Sequence, residues 1–420
     1  MVDVLMIGTG EYTTGYSATS VAESDKGAGV VGVVLIDLRR RGGRVKRLGL
    51  CGTNGKKMPA IRDHVKRNIG DAYSDMDCSL ECFPGDDEVD PEAYLKALDA
   101  FKAGDLVTVF TPDDTHFKIT KAALERGMHV LTTKPLVKTL EEHRELIALA
   151  REKNVLLMCE VHKRFDPIYT DARDRSAALG DFSFMDSYMS QPKTQLETFK
   201  SWAGQASDIS YYLNSHHIDF HEWCVSGRAR PVSVVASAAT GVAKDIVAAD
   251  TCEDTITLLV QWENRESGNL GTAVYTSSWI APPGEVHSQQ RFFYMGHKGE
   301  LRVDQAHRGF EVATDAKGYA SCNPLFMKYQ PNPQGEFAGQ LGYGYRSIEA
   351  FVDRATAMRN GDITLEDCNR ELPTVETTML TTAILEAGRR SLDSAGMPIQ
   401  IEYSDASNWG EPTGLKSRSA

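Results

Sequence analysis

Val2-Asp3-Val4-Leu5-Met6-Ile7-Gly8-Thr9-Gly10-Glu11-Tyr12-Thr13-Thr14-Gly15 opens the chain with a short apolar run that stops at paired glycines. A run of this length closed by Gly predicts a buried parallel strand entering a tight turn. Glycines at that place let backbone N–H groups approach a pyrophosphate where a helix begins. Gly8, Gly10, Glu11, Tyr12 and Thr13 are therefore the candidate cofactor-contacting residues of this turn. A strict G-x-G-x-x-G would have a third glycine where Thr13 stands, so the motif alone is weak.

Outward from this turn the same unit repeats. Leu106 to Phe110 is apolar and precedes a helical pattern from Thr115 to Arg126; His129 to Thr132 precedes a helix over Leu140 to Lys153, and Val155 to Glu160 is the next strand. Strands alternating with helices at this pitch predict a doubly wound parallel sheet, a Rossmann domain, over residues 1–160. After Asp166-Pro167 the texture changes. Pro231 to Ala239, Asp254 to Trp262, Gly271 to Trp279, Gln290 to Met295 and Gly309 to Ala313 are β-rich and separated by turn residues. The fold class expected is α/β, with a second α/β domain over 161–403 built on a large, mostly antiparallel open sheet for substrate binding and oligomerisation. Helices over Tyr345 to Arg359 and Thr374 to Ser394 are expected to pack back on the first domain, ahead of a loose polar tail over 404–420.

Bulk properties narrow the function. A chain of 420 residues exceeds what one core usually serves, which fits two domains. A net charge of -12 argues against a nucleic-acid partner, since binding phosphates needs clustered cations. The basic run from Arg39 to Arg47 is short and reads as a solvated helix end. No stretch reaches the roughly 20 apolar residues of a membrane span. Eight cysteines without a C-x-x-C pair suggest neither a zinc site nor a disulfide framework, and point to a reducing compartment. Met1 leads straight into the first strand, so the expected location is the cytoplasm.

Cofactor choice depends on where the second strand lies. If it is Val30 to Ile36, Asp37 sits at its end to accept from an adenosine ribose and NAD(H) is expected. If residues 30–41 continue a lengthened first helix, the strand is Arg47 to Cys51, and its end is Gly52-Thr53-Asn54-Gly55-Lys56-Lys57. No carboxylate there repels a 2′-phosphate, and two ammonium groups attract it. The second register is preferred because residues 56–69 read as the helix that should follow, making Thr53, Asn54, Lys56 and Lys57 cofactor contacts and NADP(H) the favoured cofactor, with NAD(H) possible.

Two dense stretches carry a resemblance. Val-Phe-Thr-Pro-Asp-Asp-Thr-His (109–116), His-Val-Leu-Thr-Thr-Lys-Pro-Leu (129–136) and Lys-Arg-Phe-Asp-Pro (163–167) resemble the glucose-fructose oxidoreductase and inositol dehydrogenase (Gfo/Idh/MocA) family. That resemblance implies a loop of Thr111, Pro112 and His116 bordering the cofactor, and Lys134-Pro135 as a catalytic-lysine motif with a cis bond. The family's Glu before the lysine is Thr133 here, a departure that leaves open what orients or charge-tunes Lys134. Tyr212-Leu213-Asn214-Ser215-His216-His217-Ile218-Asp219 is similar to the family's Asp-x-Gly-x-His-x-x-Asp segment. It implies His216 as the site histidine, with Tyr212 in the place of the upstream aspartate. The wording around residues 8–15, 191–193 and 207–217 resembles fungal uronate reductases of the family.

These residues suggest a chemistry. Reducing an aldehyde builds negative charge on oxygen as hydride arrives, so a placed acid accelerates it by roughly 10²- to 10⁴-fold. Lys134 is the candidate donor, and burial near an oxidised nicotinamide would lower its pKa. His216 could share the proton relay, with Tyr212 one helical turn earlier on the same side. His217 and His221 stand at i and i+4 as zinc ligands can, but no Glu follows His217, so no metal is expected. A sugar-acid carboxylate would need a cation, for which Arg164 and Lys193 are candidates, and Trp202 could face the sugar ring. The expected reaction is NAD(P)H-dependent reduction of a D-galacturonate or D-glucuronate aldehyde to the aldonate. Its rivals are dehydrogenation of a neutral sugar or polyol hydroxyl and a non-enzymatic NADP-binding redox sensor. An open sheet face predicts a homodimer.

Overall fold

The computed structural model describes residues 1–17, 27–284, 288–308, 310–315, 318–405 and 409–417. Gly309, expected to open a strand, and tail residues 406–408 and 418–420 lie outside the described residues. Two compact units form. One takes Met1–Leu136, Glu145–Phe165 and Pro324–Glu376; the other takes Val137–Arg144, Asp166–Asn323 and Thr377–Ala420. The chain thus passes between units several times rather than once at 160/161.

In the first unit, β1 (Val2–Ile7), β2 (Val45–Cys51), β3 (Glu81–Phe83), β4 (Leu106–Val109), β5 (His129–Thr133) and β6 (Leu157–Glu160) form one sheet. Their order is β3-β2-β1-β4-β5-β6 and every pairing is parallel. This is the doubly wound order, whose C-terminal strand ends all lie at one edge. The central strands β1 and β4 are mainly apolar and almost wholly buried, as strands covered by helices on both faces are.

The second strand lies where the register preferred from sequence put it, although the helix before it is a separate one and not a lengthened first helix, which ends at Gly15. Residues Val31–Arg40 are helical, and β2 follows at Val45. Asp37 is therefore not at a strand end. Its buried carboxylate accepts from the Tyr345 hydroxyl at 2.7 Å and from Gln340 Nε2 at 3.2 Å, and it pairs with Arg40 and Arg41. The basic run is neutralised in the same way: Arg39 meets Asp77, Arg41 and Arg44 meet Glu349, and Arg47 meets Glu81.

Of the two closing helices, Tyr343–Asn360 belongs to the first unit, where Tyr345, Ile348, Phe351 and Val352 share a core with Val31, Val34, Leu35 and Leu38. The other, Met379–Asp393, belongs to the second. Glu222 decides its place: its carboxylate accepts from Thr381 N–H at 2.9 Å and from the Thr381 hydroxyl at 2.6 Å, satisfying donors that a helix start leaves open.

The second unit is built on β7 (Phe182–Pro192), β8 (Ala229–Ala239), β9 (Thr255–Asn264), β10 (Leu270–Ala281), β11 (Gln290–Gly296), β12 (Gly299–Asp304), β15 (Ile399–Tyr403) and β16 (Pro412–Ser417). A separate hairpin pairs β13 (Glu311–Thr314) with β14 (Gly318–Ser321). The large sheet runs β12-β11-β7-β10-β9-β8-β15-β16 and is antiparallel except where β7 meets β10. Part of the tail expected to be loose is thus the edge strand β16, held by the backbone ladder to β15. One face carries Met185, Ser187, Tyr275, Ser277, Leu258 and Trp262, all buried, under the helix Ser215–Val225. The other presents Leu259, 46% exposed, beside half-buried Val274 and Tyr188.

Burial makes two histidines poor bases. His129 accepts from Leu156 N–H at Nδ1, and burial first, then Arg359, pushes its pKa down to about 4. His221 lies 4.2 Å from the Phe182 ring centroid and 4.4 Å from that of Trp262, and burial with nearby Arg228 lowers it to about 3. In the unfolded chain both titrate near 6.5. Folding therefore excludes protons between the two values: the stability they contribute is full above about pH 6.5 and declines below it, by up to about 1.4 kcal/mol per pH unit per histidine. The thermal midpoint should fall as pH drops from about 6.5 to 5, above the carboxylate range. A midpoint flat over that interval would show that neither ring is held neutral.

Candidate functional site

The candidate cofactor residues named from sequence follow the C-terminal ends of β1, β2, β4 and β5. Gly8 has φ +115°, and a Cβ there would stand 2.0 Å from the Phe110 carbonyl oxygen. Only glycine fits this close approach of β1's end to β4's. Gly10 differs: a Cβ there would meet nothing within 4 Å, so the outer face of the turn is open. Glu11–Thr14 then makes one helical turn, with Thr13 N–H and Thr14 N–H donating to the Gly10 carbonyl. Tyr12 stacks on Phe110 at 5.4 Å.

Thr13 stands where the third glycine was missing. Close packing is supplied from elsewhere in the chain: a Cβ on Gly29 or Gly32 would lie 2.9 or 2.8 Å from the Thr13 carbonyl oxygen. The Thr13 hydroxyl is buried and has no hydrogen-bond partner among the described residues. An open turn above an unsatisfied buried hydroxyl suits a ligand rich in acceptor oxygens, so these residues fit a dinucleotide pyrophosphate.

At the end of β2, the Asn54 side chain accepts from Lys56 N–H at 3.1 Å, shaping the turn Gly55–Lys57. Thr53 O accepts from Asp90 N–H at 2.9 Å. Lys56 and Lys57 are exposed.

The β4 and β5 ends are tied by one ring. Buried His116 has Nδ1 2.8 Å from the Pro135 carbonyl and Nε2 2.9 Å from the Thr111 carbonyl. The loop Thr111-Pro112 and the Lys134-Pro135 pair are thereby held together. The Lys134–Pro135 peptide is cis, as the resemblance implied, and Lys134 is half-buried. Thr133 is the register partner of Glu160 on β6. Glu160 is 2% exposed; the Ser347 hydroxyl donates to it at 2.9 Å, and His162 Nδ1 lies 3.4 Å from its other oxygen. Nothing in the sequence drew attention to this carboxylate. Arg164 is half-buried in the turn after β6.

In the second unit the sequence-named residues are partly assembled. Trp202 and Tyr212 meet with ring centroids 5.3 Å apart, and Phe199 and Trp279 complete an aromatic cluster. Lys193 begins the short helix Lys193–Phe199 and is exposed, not part of that cluster's rings. Ser210–Asn214 is a π turn leading into Ser215–Val225. The expectation that Tyr212 and His216 share a face rested on α-helical spacing, which a π turn alters; such turns are frequent at functional sites. His216 is buried. The zinc reading of His217 and His221 meets separate partners: the Tyr169 hydroxyl lies 3.1 Å from His217, and the Tyr275 hydroxyl 2.5 Å from His221. Among the described residues no group of three or more His, Cys, Asp or Glu could hold a metal.

Sequence reasoning missed Gln191 and Ser207. Gln191 follows Met189 on the helix-covered face of β7, and Ser207 N–H donates to the Trp202 carbonyl. Gln191 Oε1 and Ser207 Oγ are buried with no hydrogen-bond partner among the described residues. Their signal is one of satisfaction, invisible before packing is known.

Known proteins bear on these features. Residues 2–161 match the family model described as an oxidoreductase family with an NAD-binding Rossmann fold, Gfo/Idh/MocA. The Escherichia coli uncharacterized oxidoreductase YdgJ is 35% identical over 118 residues, 27% of this chain and 34% of that protein. Inositol 2-dehydrogenase of Rhizobium meliloti is 24% identical over 308 residues, 71% of this chain and 88% of that protein. The structure of scyllo-inositol dehydrogenase from Lactobacillus casei with NAD(H) and scyllo-inositol superposes at TM-score 0.61, with 17% identity, covering 95% of this chain and 98% of that one. The chain spans about a third of the length of the first curated relatives it matches. Family model, sheet order, glycine turn and lysine motif point the same way: residues 2–161 have a Rossmann fold and are similar to the NAD-binding domain of Gfo/Idh/MocA oxidoreductases.

Proposed function

We propose that the chain is an NAD(P)-dependent oxidoreductase that interconverts a hydroxyl and a carbonyl on a polyhydroxylated ring, with Lys134 handling the proton. The observation that carries this reading is the placement of half-buried Lys134 at the C-terminal end of β5, braced through Pro135 and His116 against the Thr111 loop. A nicotinamide cofactor, when bound at the glycine turn, supplies or takes up hydride. Lys134 Nζ donates a proton to the oxygen in the reductive direction and accepts it in the oxidative one. His216 and Tyr212 are further candidate residues, named by the family resemblance. The inositol dehydrogenases among the similar proteins favour a cyclic polyol as substrate.

A second reading, reduction of a hexuronate aldehyde, is favoured by one feature: exposed Lys193 follows β7 directly and could meet a substrate carboxylate, as could Arg164. Trp202 would face the ring in either case. For the cofactor, NADP(H) is favoured over NAD(H), because Asp37 is consumed in ion pairs inside a helix while exposed Lys56 and Lys57 follow β2. The eight cysteines are free, which suits a reducing cytoplasm. No helix among the described residues is long and apolar enough to cross a membrane. The uncovered sheet face with Leu259 suits a homodimer; sedimentation at the monomer mass would overturn that.

The deciding experiment screens NADPH and NADH oxidation, and the reverse reduction, against inositols, neutral aldoses and uronic acids. Lys134→Met should lower turnover about 10²-fold or more with little change in cofactor affinity, because it keeps the stem and removes the proton donor. Near-normal turnover would remove Lys134 from the chemistry. If uronates are the substrates, Lys193→Met or Arg164→Met should shrink the kcat/KM ratio of uronate to neutral sugar; an unchanged ratio leaves the polyol reading.

Replacing both Lys56 and Lys57 by Ala should weaken NADPH by about 1 to 3 kcal/mol per lost charged contact and spare NADH. Equal losses measured by fluorescence titration would mean that neither lysine reads a 2′-phosphate.

A further inference from the structure

Thr133 leaves Lys134 without the neighbouring carboxylate that the family motif carries, yet a carboxylate stands beside it on the next strand. In the parallel pairing of β5 and β6, Thr132 opposes Cys159 and Thr133 opposes Glu160. Residues opposed in a sheet present their side chains on the same face. Glu160 thus occupies, one strand over, the place where a side chain at 133 would put its charge. At Lys134 the chain leaves the strand in a bend, so the alternation of faces ends there. With strands about 4.8 Å apart and a rise of about 3.3 Å per residue, the Lys134 and Glu160 Cα atoms lie about 6 Å apart, within reach for two such long side chains.

The Glu160 carboxylate is not a loose surface group. It is 2% exposed, and it is aimed by Ser347 from the helix Tyr343–Asn360 and by His162 from the turn that follows β6. The His162 ring is itself held, stacked on Tyr343 at 5.4 Å. A hydroxyl and a histidine orient a carboxylate, but a buried negative charge is retained at modest cost only beside a cation. Two lysines stand by it: Lys134, next to its register partner on the neighbouring strand, and Lys163, three residues on in the chain and 1% exposed. The helix Tyr343–Asn360 also carries Arg346, with Glu349 and Asp353 committed to Arg44, and Arg354 and Arg359 to Glu371 and Asp105; His129 and Cys159 lie on the two strands, Arg164 in the same turn, and His116 Nδ1 stands 2.8 Å from the Pro135 carbonyl.

We propose that Glu160 is the positioning residue for Lys134, supplying from β6 the carboxylate absent at Thr133 and holding the lysine as an oriented ammonium. The charge has moved between neighbouring strands while its place on the sheet edge is kept. Its significance rests on the proton-handling reading of Lys134, but the contact itself can be tested without turnover.

Competitive acetylation of the intact chain between about pH 6 and 11, read by peptide mass spectrometry, reports the titration of each lysine amine. Glu160→Gln keeps size and can still accept from Ser347. It should move the Lys134 midpoint down by about one pH unit, making this amine about tenfold more reactive below its midpoint. Adding Thr133→Glu to that variant should move the midpoint back up, a rescue that a merely structural role for Glu160 would not give. An unchanged Lys134 midpoint in Glu160→Gln, or a shift confined to Lys163, would overturn the proposal and leave Glu160 as the partner of the buried lysine. Should Glu160→Gln fail to fold by circular dichroism, Thr133→Glu in the otherwise unaltered chain decides: a raised Lys134 midpoint supports a carboxylate site beside the lysine at this sheet edge, and no change overturns it. Loss of turnover in Lys134→Met with unaltered labelling in Glu160→Gln would sink this inference alone, whereas full turnover in Lys134→Met would sink the proton-handling reading alone.

Discussion

The in-register parallel pairing of β1, β4, β5 and β6 is the constraint on which the first unit's candidate site depends. It brings Gly8, Thr111, Lys134 and Glu160, far apart in the chain, to one edge of one sheet. The closest approach along that edge is Gly8 against the Phe110 carbonyl, where a single added carbon would collide at 2.0 Å. Phe110 N–H donates to Ile7 O across the same junction, so the glycine turn and the Thr111 loop are parts of one rigid corner. His116 extends the corner to Pro135. Any side chain at position 8 would force β1 and β4 apart and move the turn, the loop and the lysine together.

Buried charge is used sparingly, and each instance has a locating role. Asp37, fully buried, joins the helix Val31–Arg40 to the helix Tyr343–Asn360 through Tyr345 and Gln340, two residues about 300 positions further along the chain. In the second unit, Asp166 caps the start of the helix Pro167–Ser176 and also receives both terminal nitrogens of buried Arg308. Such pairs contribute little net stability over apolar substitutes, but breaking one leaves an unpaired buried charge, so they define which packing is allowed. Glu160 belongs to this set by burial and differs from it by standing one strand over from the lysine proposed to handle the proton.

The second unit handles polarity in another way. Its helix-covered sheet face is aromatic, with His221 kept neutral among Phe182, Trp262 and Tyr294. Toward the end of β7 that packing gives way to Gln191 and Ser207, whose Oε1 and Oγ are buried with no hydrogen-bond partner among the described residues, and to the half-exposed rings of Trp202 and Tyr212. Unsatisfied polar atoms cost free energy in a core, and they are tolerated where a ligand or water completes them. A polyhydroxylated substrate, as proposed above, would supply donors and acceptors of the kind these atoms lack.

Much of the fold was legible in the sequence because it depends on local periodicity. The alternation of apolar runs and helical patterns specified the first sheet, and the glycine turn and Lys134-Pro135 were readable as motifs. The register of the second strand was decided by the helical pattern of residues 56–69, which left Asp37 inside a helix. Local pattern could not show that Gly29 and Gly32 supply the closeness missing at Thr13, that the helix Tyr343–Asn360 returns to the first unit, or that residues 412–417 form an edge strand. Nor could it show that Tyr212 lies in a π turn ahead of the helix that carries His216. Each of these depends on which distant segment fills a given space. Thr133 and Glu160 make the distinction plain: read along the chain, the lysine motif lacks its acid, and only strand pairing sets a carboxylate beside it. Sequence determines which residues can form a strand, whereas register, a property of two strands at once, decides which side chains meet.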